Sequence, residues 1–109
     1  MPGYTSIKED VLKKLQQHLP QIQQQFGIET LGIFGSVARG EDGPESDIDI
    51  LYTFRSGIKT YHALLDLADY LEALLGRHVD LISAEWLSPH LRPYVESDLI
   101  LYGTSQGTA

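Results

Sequence analysis

Two aspartates, Asp47 and Asp49, are separated by a single residue in a segment that is otherwise rich in isoleucine, leucine and tyrosine. Because alternate residues of a β-strand point to the same face, a strand here would hold both carboxylates side by side. Like charges at that distance repel each other, and a bound cation relieves the repulsion. Carboxylate oxygens are ligands that suit Mg²⁺ or Mn²⁺. The pair therefore predicts a divalent-metal site, and the alternative is a solvent-facing strand that binds no metal.

A glycine and a serine, Gly35 and Ser36, lie where an apolar segment turns into a predicted short helix. Glycine allows a ligand to approach the backbone closely, and the free N–H groups at the start of a helix favour phosphate. The serine hydroxyl adds a further donor. These features indicate a phosphate-binding turn or, as the alternative, a tight turn with a capping serine.

Arg39 lies one helical turn beyond Ser36, which gives its guanidinium two candidate roles. It is close enough to the glycine–serine turn to contact a phosphate. It can equally form a salt bridge with an acidic residue of the following loop, at Glu41, Asp42 or Glu45. Both roles stay open at the level of the sequence.

The other residues that often do chemistry show no shared pattern. The histidines are interpreted as ordinary surface or packing residues: His18, His62, His78 and His90. Trp86 is interpreted as a core or interface residue rather than as a platform on which a nucleotide base stacks.

Hydrophobic spacing and turn residues predict the elements that must position these side chains. A first helix is capped by Thr5 or Ser6 and is stopped or kinked by Pro20. The other predicted elements are a strand over 31–34, a short helix from Gly35, a loop over 41–46, a strand over 47–54, a helix over 60–75 capped by Gly76, a strand over 79–82, a short helix from Ser83 to Trp86, a helical stretch over 89–95 and a last strand over 99–102. This order predicts an α/β domain at 1–103 with helices packed on a mixed sheet of three to four strands, and a flexible tail at 104–109.

Composition narrows the function classes. The chain has 109 residues, a formal net charge of −7 and no cysteine. The negative charge argues against direct binding of nucleic acid, which needs a basic surface, and a triphosphate would need cations to approach. Without cysteine, disulfides and thiolate metal sites are excluded. No apolar run is long enough to span a membrane and no signal peptide is recognisable, so a cytoplasmic location is expected.

The run GSVARGEDGPESDIDILY, residues 35–52, resembles the signature of the DNA polymerase β-like nucleotidyltransferase superfamily. More narrowly, it is similar to the minimal nucleotidyltransferases, the MNT family, in which Gly-Ser is followed after ten residues by Asp-x-Asp. The resemblance implies the polymerase β palm-like fold. It also implies a third carboxylate on a later strand, and Asp80 matches that position. The alternative for Asp80 is an exposed aspartate on an edge strand.

The resemblance further implies an enzyme that moves a nucleotidyl group from ATP to a hydroxyl, with Mg²⁺ or Mn²⁺ held by Asp47, Asp49 and Asp80. Asp80 would act as a metal ligand, a general base or both. Gly35, Ser36 and Arg39 would bind the nucleotide phosphates. Members of the MNT family resemble antitoxins that transfer AMP to a tyrosine of a HEPN-family RNase toxin. The alternatives are an antitoxin that neutralises its partner by binding alone, and nucleotidyl transfer to a small molecule.

Overall fold

A mixed sheet of four strands forms the centre of the computed structural model, which describes residues 3–55 and 61–103. The strands lie in the order β3-β2-β1-β4. Their bounds are β1 Ile28–Phe34, β2 Ile48–Phe54, β3 Val79–Ser83 and β4 Ile100–Tyr102. Strand β1 pairs antiparallel with β2 and with β4, whereas β2 and β3 run parallel. The predicted α/β fold with a mixed sheet of three to four strands is confirmed.

Helices lie on both faces of this sheet. Their bounds are α1 Lys8–Phe26, α2 Gly35–Arg39, α3 Tyr61–Leu75 and α4 Arg92–Asp98, with a 3-10 helix at Ala84–Trp86. Apolar residues of α1 and α3 share one large core with inward residues of the strands: Leu15, Ile22, Leu67, Leu71, Ile33, Ile48 and Ile50. A second, smaller cluster lies on the other face and contains Phe34, Leu51, Leu87 and Val95.

Strand β2 connects this two-faced core to the predicted metal site. Its buried Ile48 and Ile50 belong to the large core, and Leu51 belongs to the small one. Because side chains alternate along a strand, Asp49 shares the face of Leu51. That face is covered by few apolar residues, so a carboxylate there remains in contact with water.

Of the two outcomes predicted at Pro20, a stop or a kink, the stop is wrong, because α1 continues through Pro20 to Phe26. Proline in a helix interior is unfavourable by about 3 kcal/mol. On its two sides, Leu15, Ile22 and Phe26 are buried in the same core, and each such side chain contributes about 1.5–3 kcal/mol on burial. Tertiary packing therefore outweighs the local effect of the proline.

The ends of several elements also differ from the predictions. The N-cap of α1 is Ile7, and Ser6 instead accepts a hydrogen bond from the Lys8 N–H at 3.1 Å. Strand β1 begins three residues before the predicted 31. The last helix spans Arg92–Asp98 rather than 89–95, because residues 88–92 form a turn in which the Ser88 carbonyl accepts from the N–H groups of Leu91 and Arg92.

Some predictions fall on residues outside the described ones. They are the first residue of the predicted helix at 60–75 and the flexible tail at 104–109, so the boundary at residue 103 stays a prediction. Among the helices of the described residues, none combines the length and the apolar character that crossing a membrane requires.

Candidate active site

The parallel pairing of β2 with β3 brings the predicted carboxylates together. Asp49 and Asp80 are register partners on the two strands, and Ile48 pairs with Val79. Asp47 immediately precedes β2, beside His78, whose carbonyl accepts a hydrogen bond from the Ile48 N–H at 2.9 Å. We refer to Asp47, Asp49 and Asp80 as the carboxylate cluster.

The members of the carboxylate cluster act on one another electrostatically. Burial raises the pKa of the Asp49 carboxyl, and the negative charges of Asp80 and Asp47 raise it further, while Arg39 opposes them. The side chains of Asp47 and Asp80 are 50% and 49% exposed, so the cluster is open to solvent on one side. Carboxylates that repel one another at an open position are hard oxygen ligands of the type that suits Mg²⁺ or Mn²⁺.

The glycine–serine turn lies directly against this cluster. Gly35 has a φ of +77°, and a Cβ placed on it would overlap Oδ2 of Asp49. Its neighbour Phe34 is the register partner of Asp49 across β1 and β2. Ser36 follows in the first turn of α2 and is half-buried. Glycine is therefore required at position 35 both by the backbone angle and by the closeness of the Asp49 carboxylate.

Arg39 forms two ion pairs in which it is the shared cation. Its Nε donates to Glu41 at 2.9 Å and its Nη1 donates to Asp98 at 2.6 Å. The salt bridge to Glu41 is one of the two roles predicted for Arg39, whereas the pair with Asp98 joins residues 59 positions apart in the chain. Arg39 also opposes the rise in the pKa of Asp49, so its positive charge interacts electrostatically with the carboxylate cluster.

His78 was interpreted from the sequence as an ordinary surface or packing residue, yet it lies within the acidic site. Its Nδ1 is 3.4 Å from Oδ1 of Asp47 and 3.7 Å from Oδ1 of Asp80. Its Nε2 is 3.7 Å from Oε2 of Glu72 on α3. Ligand atoms of Asp47, His78 and Asp80 all lie within 4.8 Å of one another. The sequence signal available for His78 was its separation of two residues from Asp80. Only the pairing of β3 with β2, however, brings His78 beside Asp47.

A buried aspartate anchors the loop between α2 and β2. Asp42 is 6% exposed and accepts hydrogen bonds from the Tyr4 hydroxyl at 2.7 Å, the Ser6 hydroxyl and the Ile7 N–H at 3.2 Å. Burial alone would raise the pKa of Asp42, but the hydrogen bonds from Ser6, Tyr4 and Ile7 outweigh it and the pKa is lowered. The start of α1 is thereby tied to the loop that leads to Asp47.

Arg77 holds the second half of the same loop. Its Nη1 donates to the carbonyl oxygens of Gly43 and Ser46, each at 3.0 Å, and its Nη2 donates to the Tyr4 hydroxyl at 2.9 Å. Ser46 directly precedes Asp47. The loop is therefore fixed at both ends by charged side chains, which restricts the position of the first carboxylate.

An apolar groove of about 410 Å³ adjoins the site. Gly35 and Arg39 line it together with Trp86 of the 3-10 helix, Tyr94 of α4 and Leu91, which directly precedes α4. These three side chains are 84%, 55% and 74% exposed. Large apolar side chains exposed together are typical of surfaces that bind another molecule. Of the two interpretations of Trp86, a core position is wrong because this side chain faces solvent, and an interface position stays a prediction.

Comparison with known proteins assigns this arrangement to a family. Residues 12–102 match the nucleotidyltransferase domain family. The protein adenylyltransferase MntA of Thermococcus cleftensis is 40% identical over 74 residues, which cover 68% of this chain and 74% of that protein. A Methanocaldococcus jannaschii protein, provisionally named a protein adenylyltransferase, is 34% identical over 93 residues, which cover 84% of this chain and 93% of that protein.

Solved structures agree with this assignment. A structure provisionally described as a minimal nucleotidyltransferase has a TM-score of 0.70 at 35% identity, over 84% of this chain and 92% of that one. A chain from a crystal structure of a toxin–antitoxin with AMP-PNP has a TM-score of 0.62 at 26% identity, over 91% of this chain and 75% of that one. The chain therefore belongs to the nucleotidyltransferase domain family and is a minimal nucleotidyltransferase enzyme of the kind to which the protein adenylyltransferases belong.

Proposed function

We propose that this chain transfers AMP from ATP to a tyrosine of a partner HEPN-family toxin, with the help of bound Mg²⁺ or Mn²⁺, and thereby inactivates the toxin. The observation that carries the proposal is the meeting of Asp47, Asp49 and Asp80 beside the Gly35 turn. A site of this kind holds triphosphate and cations together, and it supplies position and charge rather than covalent chemistry.

The carboxylate cluster would hold the divalent cations, which when bound neutralise charge on the triphosphate and on the departing pyrophosphate. The half-exposed Asp80 accepts the proton of the tyrosine hydroxyl or completes the ligand set. The tyrosine oxygen forms its bond to the α-phosphorus as the bond from that phosphorus to pyrophosphate breaks. Because the Asp80 side chain is open to solvent, an acceptor can reach it from outside.

The turn and the arginine would bind the rest of the triphosphate. Gly35 carries no side chain, which allows the Asp49 carboxylate to lie directly against the turn. The Ser36 hydroxyl adds a donor to a phosphate oxygen. Arg39 is held in position by Glu41 and Asp98 and is 45% exposed, which leaves part of its guanidinium for a phosphate.

The apolar groove supports a protein as the acceptor. Trp86, Leu91 and Tyr94 are exposed on the same side of the chain as Gly35 and Arg39, which line the groove with them. Aromatic side chains are enriched at the centres of protein interfaces. A protein docked there would bring a tyrosine close to the carboxylate cluster. The relatives named protein adenylyltransferases and the toxin–antitoxin structure with AMP-PNP support the same acceptor class and ATP as the donor.

A labelling experiment tests the proposal. The chain is incubated with ATP labelled at the α-phosphate, MgCl₂ or MnCl₂, and a HEPN-family protein, and the label on that protein is followed on a gel and by mass spectrometry. We expect AMP on a tyrosine with the parent chain and at least a 100-fold lower rate with Asp49→Asn. Asp66→Asn is the matched control, because Asp66 is an exposed aspartate of α3 outside the carboxylate cluster.

The same experiment separates the alternatives. The exposed groove also suits an antitoxin that acts by binding alone. In that case the Asp49→Asn variant would still neutralise the toxin and no label would appear on it. Transfer of the label to small molecules and not to the protein would instead support a small-molecule acceptor.

A further inference from the structure

We infer that His78 is a metal ligand and that, together with Asp47 and Asp80, it makes this site favour transition-metal ions such as Mn²⁺ and Co²⁺ over Mg²⁺. The inference rests on the proposed metal-dependent function and adds to it a ligand outside the carboxylate cluster. It starts from the geometry of His78, whose Nδ1 lies between one oxygen of Asp47 and one of Asp80, 3.4 Å and 3.7 Å away.

These distances fit a shared cation. Neighbouring ligand atoms around an octahedral ion, with metal–ligand distances of about 2.1 Å, are about 3.0 Å apart, and opposite ones are about 4.2 Å apart. The ligand atoms of Asp47, His78 and Asp80 lie within 4.8 Å of one another. Small rotations of exposed side chains are enough to close the remaining difference, because the His78 and Asp47 side chains are 60% and 50% exposed.

Glu72 lies beside the far nitrogen of the imidazole. Its Oε2 lies 3.7 Å from Nε2 of His78 and is itself held by the Val79 N–H, which donates to it at 3.1 Å. When an ion binds to Nδ1, the proton of the neutral imidazole lies on Nε2, where the nearby Glu72 carboxylate favours it. Histidines that bind metals are commonly held in this way by a carboxylate.

The backbone keeps His78 at this position. Its carbonyl accepts from the Ile48 N–H at 2.9 Å, which extends the pairing of β2 and β3 back to the residue before β3. Asp47 and His78 therefore face each other before any ion binds. A preorganised pair of this kind reduces the entropy lost on binding.

The nitrogen ligand changes which cation is preferred. Oxygen ligands suit Mg²⁺, whereas imidazole suits transition-metal ions, whose affinities for a nitrogen-containing site rise from Mn²⁺ towards Co²⁺ and Ni²⁺. A site of carboxylates alone has a weaker bias of this kind. We therefore expect the chain to bind Mn²⁺ at least about tenfold more tightly than Mg²⁺, and His78→Gln to lose most of this difference.

Mn²⁺ binding measured by electron paramagnetic resonance tests the inference without any turnover. The full chain is titrated with MnCl₂, alone and with AMP-PNP, and Mg²⁺ is used as the competitor. Pulsed measurements then report whether a ¹⁴N nucleus is bound to the Mn²⁺. We expect an imidazole ¹⁴N signal in the parent chain, and its loss with about tenfold weaker Mn²⁺ binding in His78→Gln. His90→Gln is the matched control, because His90 is exposed and lies outside the cluster of Asp47, His78 and Asp80.

Each outcome decides the matter. Bound Mn²⁺ without an imidazole signal overturns the role of His78 and leaves the proposed function intact. If His90→Gln loses the signal instead, the assignment to His78 is overturned. Failure of the parent chain to bind Mn²⁺, even with AMP-PNP, overturns both this inference and the metal dependence of the proposed function. Circular dichroism of His78→Gln shows whether a loss of binding comes from unfolding, and in that case the ¹⁴N signal of the parent chain alone decides.

Discussion

Replacing Gly35 with alanine tests the contact between the glycine–serine turn and the carboxylate cluster. The residue has a φ of +77°, where a side chain is unfavourable by about 1–2 kcal/mol. A Cβ there would also overlap Oδ2 of Asp49 and would lie 3.3 Å from its Cγ. The Asp49 side chain must then leave its preferred rotamer, which is unfavourable by a further ~0.5–1.5 kcal/mol.

Gly76→Ala separates the two contributions. Gly76 has a similar φ of +72°, but a Cβ on it would meet nothing within 4 Å. We expect Gly76→Ala to lower the free energy of unfolding by the backbone contribution alone, about 1–2 kcal/mol. Gly35→Ala should lower it by ~0.5–1.5 kcal/mol more. Each kcal/mol corresponds to about 4–8 °C in Tm for a domain of this size, so the difference is measurable by urea and thermal unfolding.

The catalytic consequence should differ more than the stability. A displacement of a reacting group by about 1 Å reduces a rate roughly 100-fold, so Gly35→Ala should nearly abolish nucleotidyl transfer while folded protein remains. Gly76→Ala should retain most of the activity once the folded fraction is taken into account.

A double variant gives the result that could refute this reasoning. Asp49→Ala removes Cγ and Oδ2 and leaves a Cβ at 3.6 Å from the added methyl group, an ordinary van der Waals contact. In that background Gly35→Ala and Gly76→Ala should destabilise equally. If the extra destabilisation by Gly35→Ala persists without the Asp49 carboxylate, the close contact between the two residues is not its cause.

Three further predictions concern single side chains. Asp42→Asn should lower the free energy of unfolding by about 1–3 kcal/mol at pH 7, because the buried carboxylate accepts three hydrogen bonds. Since the pKa of Asp42 is lowered, the difference between this variant and the parent chain should vanish as the pH falls through that pKa. The pKa of Asp49 is raised, so the folded chain binds more protons than the unfolded chain just above the ordinary aspartate pKa of about 3.9. The contribution of Asp49 to the free energy of unfolding should therefore fall as the pH rises from the ordinary aspartate pKa through the raised pKa of Asp49. Urea unfolding in EDTA should accordingly show Asp49→Asn to be more stable than the parent chain at pH 8 but not at pH 4. Trp86→Ala should change the free energy of unfolding by less than ~0.5 kcal/mol, because the side chain is 84% exposed. The same variant should bind the acceptor protein about 30-fold more weakly in calorimetry. Unchanged binding would argue against the groove as the docking surface.

The chemistry of the carboxylate pair was predictable because it depends on neighbours in the chain. Asp47 and Asp49 share a face by the period of a strand, and Gly35 and Ser36 lie at a strand-to-helix turn that local residue types indicate. Asp80 required the family resemblance, because its distance from Asp49 depends on strand pairing. The labelling and binding experiments test the metal-binding and phosphate-binding roles predicted for these residues.

Other features could not be predicted because distant parts of the chain produce them. Arg39 had acidic neighbours in sequence, yet one of its two ion pairs is with Asp98, 59 residues away. Local rules for Pro20 indicated a stop or a kink in the helix, but burial on both sides of it keeps α1 continuous. A local propensity is worth a few kcal/mol at most, and several buried side chains together exceed it.

By itself, the sequence determined the fold class, the order of the main elements, the paired aspartates of one strand and the glycine–serine turn before them, because hydrophobic periodicity and turn residues act over short distances. Tertiary structure alone decided that His78 and Glu72 join the acidic site, that Asp42 and Arg77 anchor the loop before Asp47, and that Trp86 is exposed beside Gly35. The physical reason is that these neighbours are set by the register of parallel strands and by the packing of separate elements, neither of which leaves a periodic signal in the chain.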